Sequence, residues 1–144
     1  MAETVARLMT PKVETVRPDS TVKEAAVKMD VLDIGPLPVC DGERLVGIVT
    51  DRDITTRAVA SGKDPNTTPV RSVMTTELVY CYEDQDVDEV SRLMKERQIR
   101  RIPVLDRDDK LVGILALGDL AVDEKDTAKD VLHEVSKPSD PELP

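Results

Sequence analysis

The sequence predicts an α+β protein built from two strand–helix–strand–strand–helix repeats packed about a pseudo-twofold axis. Three observations predict this fold. The chain of 144 residues repeats itself at a shift of 65 residues. Each copy has an apolar stripe at helical spacing, and each follows that stripe with two short apolar runs joined by a polar turn. A copy of about 60 residues buries little surface alone, so the copies are expected to pack together around a cleft.

The repeat is visible in the letters of the sequence. The segment VARLMT at residues 5–10 falls on VRSVMT at residues 70–75. One inserted residue in a later turn changes the shift to 66, and LVGI at residues 45–48 then falls on LVGI at residues 111–114. The matches keep their order through nearly the whole of both halves, so chance is a poor explanation.

The first strand and first helix of each copy follow from local patterns. Short apolar segments at residues 13–16 and 78–82 predict the strands. Each copy then has an N-cap residue with a glutamate three residues later, which predicts a helix start: Thr21 with Glu24, and Asp86 with Glu89. The expected core-facing stripes are Val22, Ala25, Ala26 and Met29 in the first helix, and Val87, Val90 and Met94 in the second.

Two further strands and a second helix complete each copy. The turn pair Asp41-Gly42 predicts a hairpin in the first copy, and a longer polar turn predicts one in the second. The second helices are expected to begin near Asp51 and near Leu117. The hairpin strands are predicted at residues 37–40, 45–50, 102–106 and 111–116.

The repeat also predicts the domain organisation. Residues 1–65 form the first domain with its linker, whose turn formers lie at 61–69, and residues 66–124 form the second domain. The remaining residues, 125–144, are expected to hold a short helix and a proline-rich, loose tail.

Charge and hydropathy argue against two kinds of partner. The net charge is −9, from 20 Lys+Arg against 29 Asp+Glu, and this field repels a nucleic-acid backbone. No apolar run approaches the ~20 residues that span a bilayer, and the first residues do not resemble a secretory signal. We therefore expect a soluble, cytoplasmic protein that binds neither nucleic acid nor a membrane.

The sequence shows no pattern of a catalytic or metal site. Cys40 and Cys81 are too few for a disulfide framework or a metal cluster, and they align with apolar residues, so both are expected to be buried. His133 is the only histidine. A nucleophile–base pair, a phosphate-binding loop and a dinucleotide fingerprint are all missing. The chain is therefore not expected to be an enzyme or to hold a metal or a covalently bound cofactor.

Three segments resemble the signature segments of a CBS domain: LMTP at residues 8–11, IGPLPV at 34–39 and GIVTDRD at 47–53. Their counterparts in the second copy are VMT at residues 73–75, IRRIPV at 99–104 and GILALGD at 113–119. The resemblance covers about residues 4 to 123. The chain also resembles small stand-alone bacterial CBS-pair proteins. The resemblance implies a disc called a Bateman module, which usually pairs with a second disc, and a cleft that binds adenosyl ligands such as AMP, ATP, NAD or S-adenosylmethionine.

The segment Thr50-Asp51-Arg52-Asp53 is the most informative local motif, because it lies where a strand ends and a helix begins. A helix N-terminus suits a phosphate, Thr50 can add a hydroxyl donor, and Asp53 can accept the two hydroxyl protons of a ribose. The resemblance assigns phosphate and ribose roles to this threonine and this aspartate. The same spacing is also a helix-capping arrangement that needs no ligand, so both interpretations stay open.

The other candidate ligand contacts come from the matching segments. Ala116 replaces the threonine in the second copy while Asp119 remains, which predicts one good site and one altered site. Arg100 and Arg101 are expected either to bind phosphate or to form surface ion pairs. Two further segments are expected either to line an adenine pocket or to form ordinary core strands. Their residues are Ile34, Gly35, Pro36, Leu37 and Pro38 in the first copy, and Ile102 and Pro103 in the second.

These expectations favour a regulatory module that senses an adenine nucleotide in the cleft and passes the change to an unidentified partner protein. The resemblance also implies a homodimer. The alternative is a dimerisation or protein-interaction subunit that keeps the fold but acts without a ligand.

Overall fold

The computed structural model describes residues 3–116 and residue 118. These residues form two compact units. The first unit is Glu14–Leu78, and the second unit combines residues 3–13 with residues 79–116. Helices and strands mix in both units, which confirms the α+β class. The predicted second helix near Leu117, residue Asp119, His133 and the C-terminal segment 125–144 lie outside the described residues.

The elements are short, as the apolar runs predict. The helices are α1 (Val5–Leu8), α2 (Val22–Leu32), α3 (Asp51–Asp53, continued by a π-helical segment Ile54–Val59) and α4 (Val87–Arg97), with a 3-10 turn at Val70–Ser72. The strands are β1 (Thr10–Pro11), β2 (Pro36–Asp41), β3 (Arg44–Thr50), β4 (Cys81–Tyr82), β5 (Arg101–Leu105) and β6 (Leu111–Ala116). All four predicted hairpin strands are confirmed with small shifts of their ends.

The first unit contains an antiparallel hairpin of β2 and β3, in register from Pro36 opposite Thr50 to Asp41 opposite Arg44. Because Asp41 is still paired, the two-residue turn begins at Gly42, whose φ of 65° a glycine adopts without strain, and not at Asp41 as predicted. Isolated bridges continue the hairpin on both sides, Val16 beside Val39 and Thr75 beside Ile48. Of the strand predicted at residues 13–16, only the bridge at Val16 forms.

The second unit repeats this arrangement in a sheet of order β1-β6-β5-β4. Strands β5 and β6 form the antiparallel hairpin, β4 lies parallel to β5, and β1 places Thr10 opposite Ile114. Thr10 and Thr75 thus take equivalent places in the two units, as their match in the sequence repeat suggests. The strand predicted at residues 78–82 is reduced to Cys81–Tyr82.

The two long helices begin where the sequence predicts, but their caps differ. The Thr21 hydroxyl accepts a hydrogen bond from the backbone N–H of Glu24 at 3.1 Å, which confirms the first cap. Asp86 holds the N-cap position of α4, as predicted, but its side chain accepts no capping hydrogen bond. The prediction of a side-chain cap for this helix is therefore wrong. There the N–H of Val87 is satisfied by the carbonyl of Glu3 at 2.8 Å.

Each unit has its own apolar core. Each core includes at least one valine from the beginning of the other sequence copy: Val5 in the second unit, and Val70 and Val73 in the first. The core of the first unit is Val16, Val22, Ala25, Met29, Leu37, Val39, Val49, Ala58, Val70 and Val73. The core of the second unit is Val5, Cys81, Val87, Val90, Met94, Ile102, Val104 and Leu115. The predicted stripes are confirmed, except that Ala26 is only partly buried.

Candidate functional site

Thr50 and Asp53 form a reciprocal capping box where strand β3 passes into helix α3. The backbone N–H of Asp53 donates to Thr50 Oγ1 at 3.0 Å, and the backbone N–H of Thr50 donates to Asp53 Oδ2 at 3.0 Å. The first N–H groups of a helix have no partner within it, and these two side chains satisfy those of Thr50 and Asp53. The capping interpretation of this motif is therefore confirmed.

The Asp53 carboxylate has contacts beyond the cap. The Thr75 hydroxyl lies 3.5 Å from Oδ2, and Arg57 Nε lies 3.9 Å from Oδ1. Asp53 is 8% exposed, so these contacts surround a nearly buried charge. An ionised carboxylate offers about four acceptor positions. Among the described residues, every hydrogen bond that the Asp53 carboxylate accepts ends on Oδ2. The other oxygen, Oδ1, therefore keeps acceptor capacity.

The start of α3 lies against the residues that lead into β2. The backbone N–H of Asp51 donates to the carbonyl of Gly35 at 3.2 Å, and Pro36 is opposite Thr50 in the hairpin. A side chain at Gly35 would approach Asp51 Oδ1 to 3.3 Å. The structure therefore brings together Thr50, Asp51, Asp53, Gly35 and Pro36, and their contact with a ligand stays a prediction.

The remaining predicted residues of the first unit divide by burial. Leu37 is fully buried and Pro38 is buried, so the interpretation as an ordinary core strand holds for their side chains. Ile34 is partly buried and packs against the same core. Arg52 is exposed, and its backbone carbonyl accepts a hydrogen bond from the Thr56 hydroxyl at 2.8 Å. Ligand contact by any of these residues stays a prediction.

The matching region of the second unit is described up to the end of β6. Arg101 is opposite Ala116, just as Pro36 is opposite Thr50. Arg100 and Arg101 are exposed, whereas Ile102 and Pro103 are buried in the hairpin. Ala116 supplies no hydroxyl group where Thr50 supplies one.

Sequence reasoning missed the two residues that complete the surroundings of Asp53. Thr75 belongs to the repeated Met-Thr pair, and that repetition was a signal that its position matters. Arg57 follows Asp53 by four residues on one helical stretch, the spacing of a side-chain ion pair. Their joint contact with one carboxylate depends on the fold, because Thr75 lies 22 residues from Asp53 in the chain.

The cysteines behave as the sequence predicts. Both are free and buried, and burial raises the pKa of the Cys40 thiol to about 11 and that of Cys81 to about 12, because a thiolate is poorly solvated there. In residues 3–116, no group of three or more His, Cys, Asp or Glu side chains is placed to hold a metal ion. No helix within the described residues is long and apolar enough to cross a membrane.

Comparisons with known proteins agree with the sequence motifs and the fold. The model of the CBS domain matches residues 5–59 and again residues 70–123. Among curated proteins, the CBS domain-containing protein YhcV of Bacillus subtilis (strain 168) is 47% identical over 116 residues, which cover 81% of this chain and 81% of YhcV.

Two solved structures are similar in fold and carry adenosyl ligands. The crystal structure of CBSX2 in complex with AMP has a TM-score of 0.71 and 30% sequence identity, over 83% of this chain and 93% of that chain. The CBS domain pair of protein MJ0100, in complex with 5′-methylthioadenosine and S-adenosyl-L-methionine, has a TM-score of 0.69 and 28% identity, over 85% and 95% of the two chains.

Proposed function

Because this chain belongs to the CBS-domain family and carries two CBS domains in tandem, we propose that it is a regulatory module that binds an adenosyl ligand. AMP, ATP, NAD and S-adenosylmethionine share the adenine and ribose that such a site recognises. Thr50 and Asp53 are the proposed contacts to the ligand in the first unit.

The observation that carries this proposal is that the cap uses one oxygen of the Asp53 carboxylate and leaves the other available as an acceptor. Oδ2 accepts the hydrogen bond of the cap, whereas Oδ1 keeps acceptor capacity and lies 3.9 Å from a guanidinium group. A ribose has two neighbouring hydroxyl groups, and a carboxylate oxygen can accept from both. Hydrogen bonds to a charged acceptor are stronger than neutral ones. The capping box holds this acceptor in place without using all of its capacity.

The ligands of the two similar structures support the same chemistry. AMP, 5′-methylthioadenosine and S-adenosyl-L-methionine, as bound in those proteins, differ in their 5′ substituents but share an adenosyl group. A site that recognises the ribose through a carboxylate accepts all of them. We propose that the present chain likewise recognises the adenosyl group, and that the 5′ substituent sets the order of the ligand affinities.

The second unit is the weaker candidate. Ala116 removes the hydroxyl group that Thr50 supplies at the equivalent strand end. Arg100 and Arg101 are exposed beside it and are the proposed phosphate contacts there. We therefore propose one binding site of higher affinity, at Thr50 and Asp53.

Regulation requires that the ligand favour one arrangement of the module over another, since equal affinity for both would shift nothing. The proposed output is a change in the association of a homodimer or of an unidentified cytoplasmic partner protein. A subunit that assembles without a ligand is the competing function, and the same binding experiment separates the two.

The first test is binding of AMP, ADP, ATP, NAD and S-adenosylmethionine to the purified full-length chain, with GMP and GTP as controls. Thermal unfolding ranks the ligands, since a ligand at 100 times its Kd adds about 2.7 kcal/mol. Titration calorimetry then measures the affinity of the strongest ligand. Protein freed of co-purified nucleotide is used throughout.

The matched variants are Asp53→Asn and Asp41→Asn. An asparagine at 53 keeps one oxygen for the cap but loses the charged acceptor, so we expect an affinity loss on the order of 10- to 100-fold. Asp41 is exposed at the end of β2 in the same unit, and its variant is expected to bind as the parent does. Absence of binding by every adenosyl ligand would contradict the proposal and favour the ligand-independent subunit.

A further inference from the structure

Arg57 joins the Asp53 carboxylate to a segment far from it in sequence. Its Nε lies 3.9 Å from Asp53 Oδ1, and its Nη1 donates to the carbonyls of Val73 at 3.2 Å and Met74 at 3.1 Å. The arginine side chain is 50% exposed, whereas the Asp53 side chain is 12% exposed. One guanidinium group therefore contacts both the proposed ligand acceptor and two consecutive carbonyl groups.

The same segment reaches Asp53 by a second route. Thr75 places its hydroxyl 3.5 Å from Asp53 Oδ2. Its backbone exchanges two hydrogen bonds with Ile48 of strand β3, at 2.8 and 2.9 Å. Residues 73–75 are thus held at the strand through Thr75 and at the helix through Arg57, with Asp53 between the two.

The chemistry of the bridge suits arginine. The 3-10 turn Val70–Ser72 ends immediately before Val73, and carbonyl groups at a helix end lack donors from the following turn. A planar guanidinium group presents several N–H donors in fixed directions, so it reaches two carbonyls while its charge stays beside the carboxylate. A lysine ammonium is a point charge on a flexible stem and does not reproduce this geometry.

We propose that Arg57 is a positioning residue that couples the occupancy of Asp53 to the order of residues 73–75. The inference rests on the proposed adenosyl site. Arg57 holds the carboxylate in one orientation, and a ligand that binds Oδ1 in turn holds Asp53 and the guanidinium beside it. Linkage makes this coupling reciprocal: the ligand orders the segment, and the ordered segment raises the affinity for the ligand.

This coupling gives the site a route for regulation. Residues 73–75 lead along the chain to Leu78, where the first unit ends, and Val79 begins the next part of the second unit. A change in their order therefore occurs close to the point where the chain leaves the first unit. The shift of 66 residues aligns Arg57 with Asp123, so the second copy has the opposite charge at this sequence position.

The test measures amide hydrogen exchange of the full-length chain, with and without AMP, together with AMP affinity by calorimetry. The variants are Arg57→Ala, Arg57→Lys and Arg71→Ala. Arg71 is an exposed arginine in the adjoining 3-10 turn, so its variant removes the same charge from the same region. Circular dichroism confirms that each variant is folded.

We expect the Thr75 and Ile48 amides of ligand-free Arg57→Ala to exchange on the order of tenfold faster than those of the parent and of Arg71→Ala. AMP is expected to slow this exchange in the parent but not in Arg57→Ala, whose AMP affinity falls on the order of tenfold. Arg57→Lys keeps a positive charge but loses the two hydrogen bonds to the carbonyls, so its exchange is expected to stay fast and insensitive to AMP, and by the same linkage its AMP affinity stays below that of the parent.

The outcomes separate this inference from the proposed function. If AMP binds the parent and all variants equally and slows exchange equally, the coupling is refuted while the adenosyl site stands. If no adenosyl ligand binds the parent, the proposed function fails, and the ligand-free exchange rates still decide whether Arg57 positions the segment. Equal ligand-free rates in Arg57→Ala and Arg71→Ala would overturn the positioning role.

Discussion

Two polar residues among those described, Asp53 and Ser91, are buried, and their surroundings differ. Asp53 has partners for its charge: a backbone N–H, a hydroxyl group and a guanidinium group. Ser91 is 1% exposed in helix α4, and its hydroxyl has no hydrogen-bond partner in the part of the chain that the structure describes. A buried polar group without a partner lowers stability, whereas a satisfied one is compatible with a binding role.

At this scale we predict that Ser91→Ala stabilises the protein. Removing the unsatisfied hydroxyl is expected to raise the free energy of unfolding by roughly 1 kcal/mol, because the buried hydroxyl loses its hydrogen bonds to water and gains none in the protein. The repeat supports the substitution, since Ala26 occupies the matching position of α2. Chemical denaturation measures the change. Ser61→Ala, at an exposed turn, serves as the control and should change little. A lower midpoint for Ser91→Ala would contradict this account.

At the scale of the elements, a glycine in each hairpin permits a close approach of the Met-Thr pair. A Cβ atom at Gly47 would lie 2.6 Å from Met74 Sδ and 3.1 Å from the Thr75 carbonyl oxygen. A Cβ atom at Gly113 would lie 2.6 Å from Met9 Sδ and 2.8 Å from the Thr10 carbonyl oxygen. The repeated Leu-Val-Gly-Ile and Met-Thr segments therefore recur together because each packs on the other.

We predict that alanine is tolerated less well at Gly113 than at Gly47. The sulfur atom at either site can move, but the Thr10 carbonyl at 2.8 Å is backbone, so β1 must shift away from β6. Gly113→Ala is expected to cost about 1–3 kcal/mol of unfolding free energy, as overpacked cores do. Gly47→Ala is the matched comparison in urea denaturation. A larger loss for Gly47→Ala would refute this ranking.

At the scale of the whole molecule, the compact units differ from the sequence copies. Val5 belongs to the first copy but is buried in the core of the second unit. Val70 and Val73 belong to the second copy but lie in the core of the first unit. The chain therefore passes between the units twice, after Val13 and after Leu78. The domain boundaries inferred from the repeat stay a prediction.

The matched variants Val5→Ala and Val70→Ala test this exchange of segments. Both valines are fully buried, so each substitution is expected to cost about 1–3 kcal/mol. Amide exchange by mass spectrometry locates the loss of protection. Val5→Ala should speed exchange chiefly in β5 and β6, and Val70→Ala chiefly in β2 and β3. The reverse pattern would show that each N-terminal segment supports its own copy.

Much of the fold could be predicted because its signals are local. Helices α2 and α4 follow from spacing of the apolar residues, and the hairpin strands follow from apolar runs beside turn formers. Asp86 shows the limit of such rules, since it has the right spacing for a cap but the carbonyl of Glu3 satisfies the first N–H of its helix. A contact between residues 84 positions apart has no local signature.

By itself, the sequence determined the repeat, the α+β class, the family and the pairing of Thr50 with Asp53, because each depends on residues near one another in the chain or on the match of two copies. Only the tertiary structure decided that Arg57 and Thr75 meet at Asp53, and that Val5 and Val70 complete the cores of the opposite copies. The physical reason is that chain folding brings distant residues together, and burial and hydrogen bonding then select the contacts that residue spacing cannot specify.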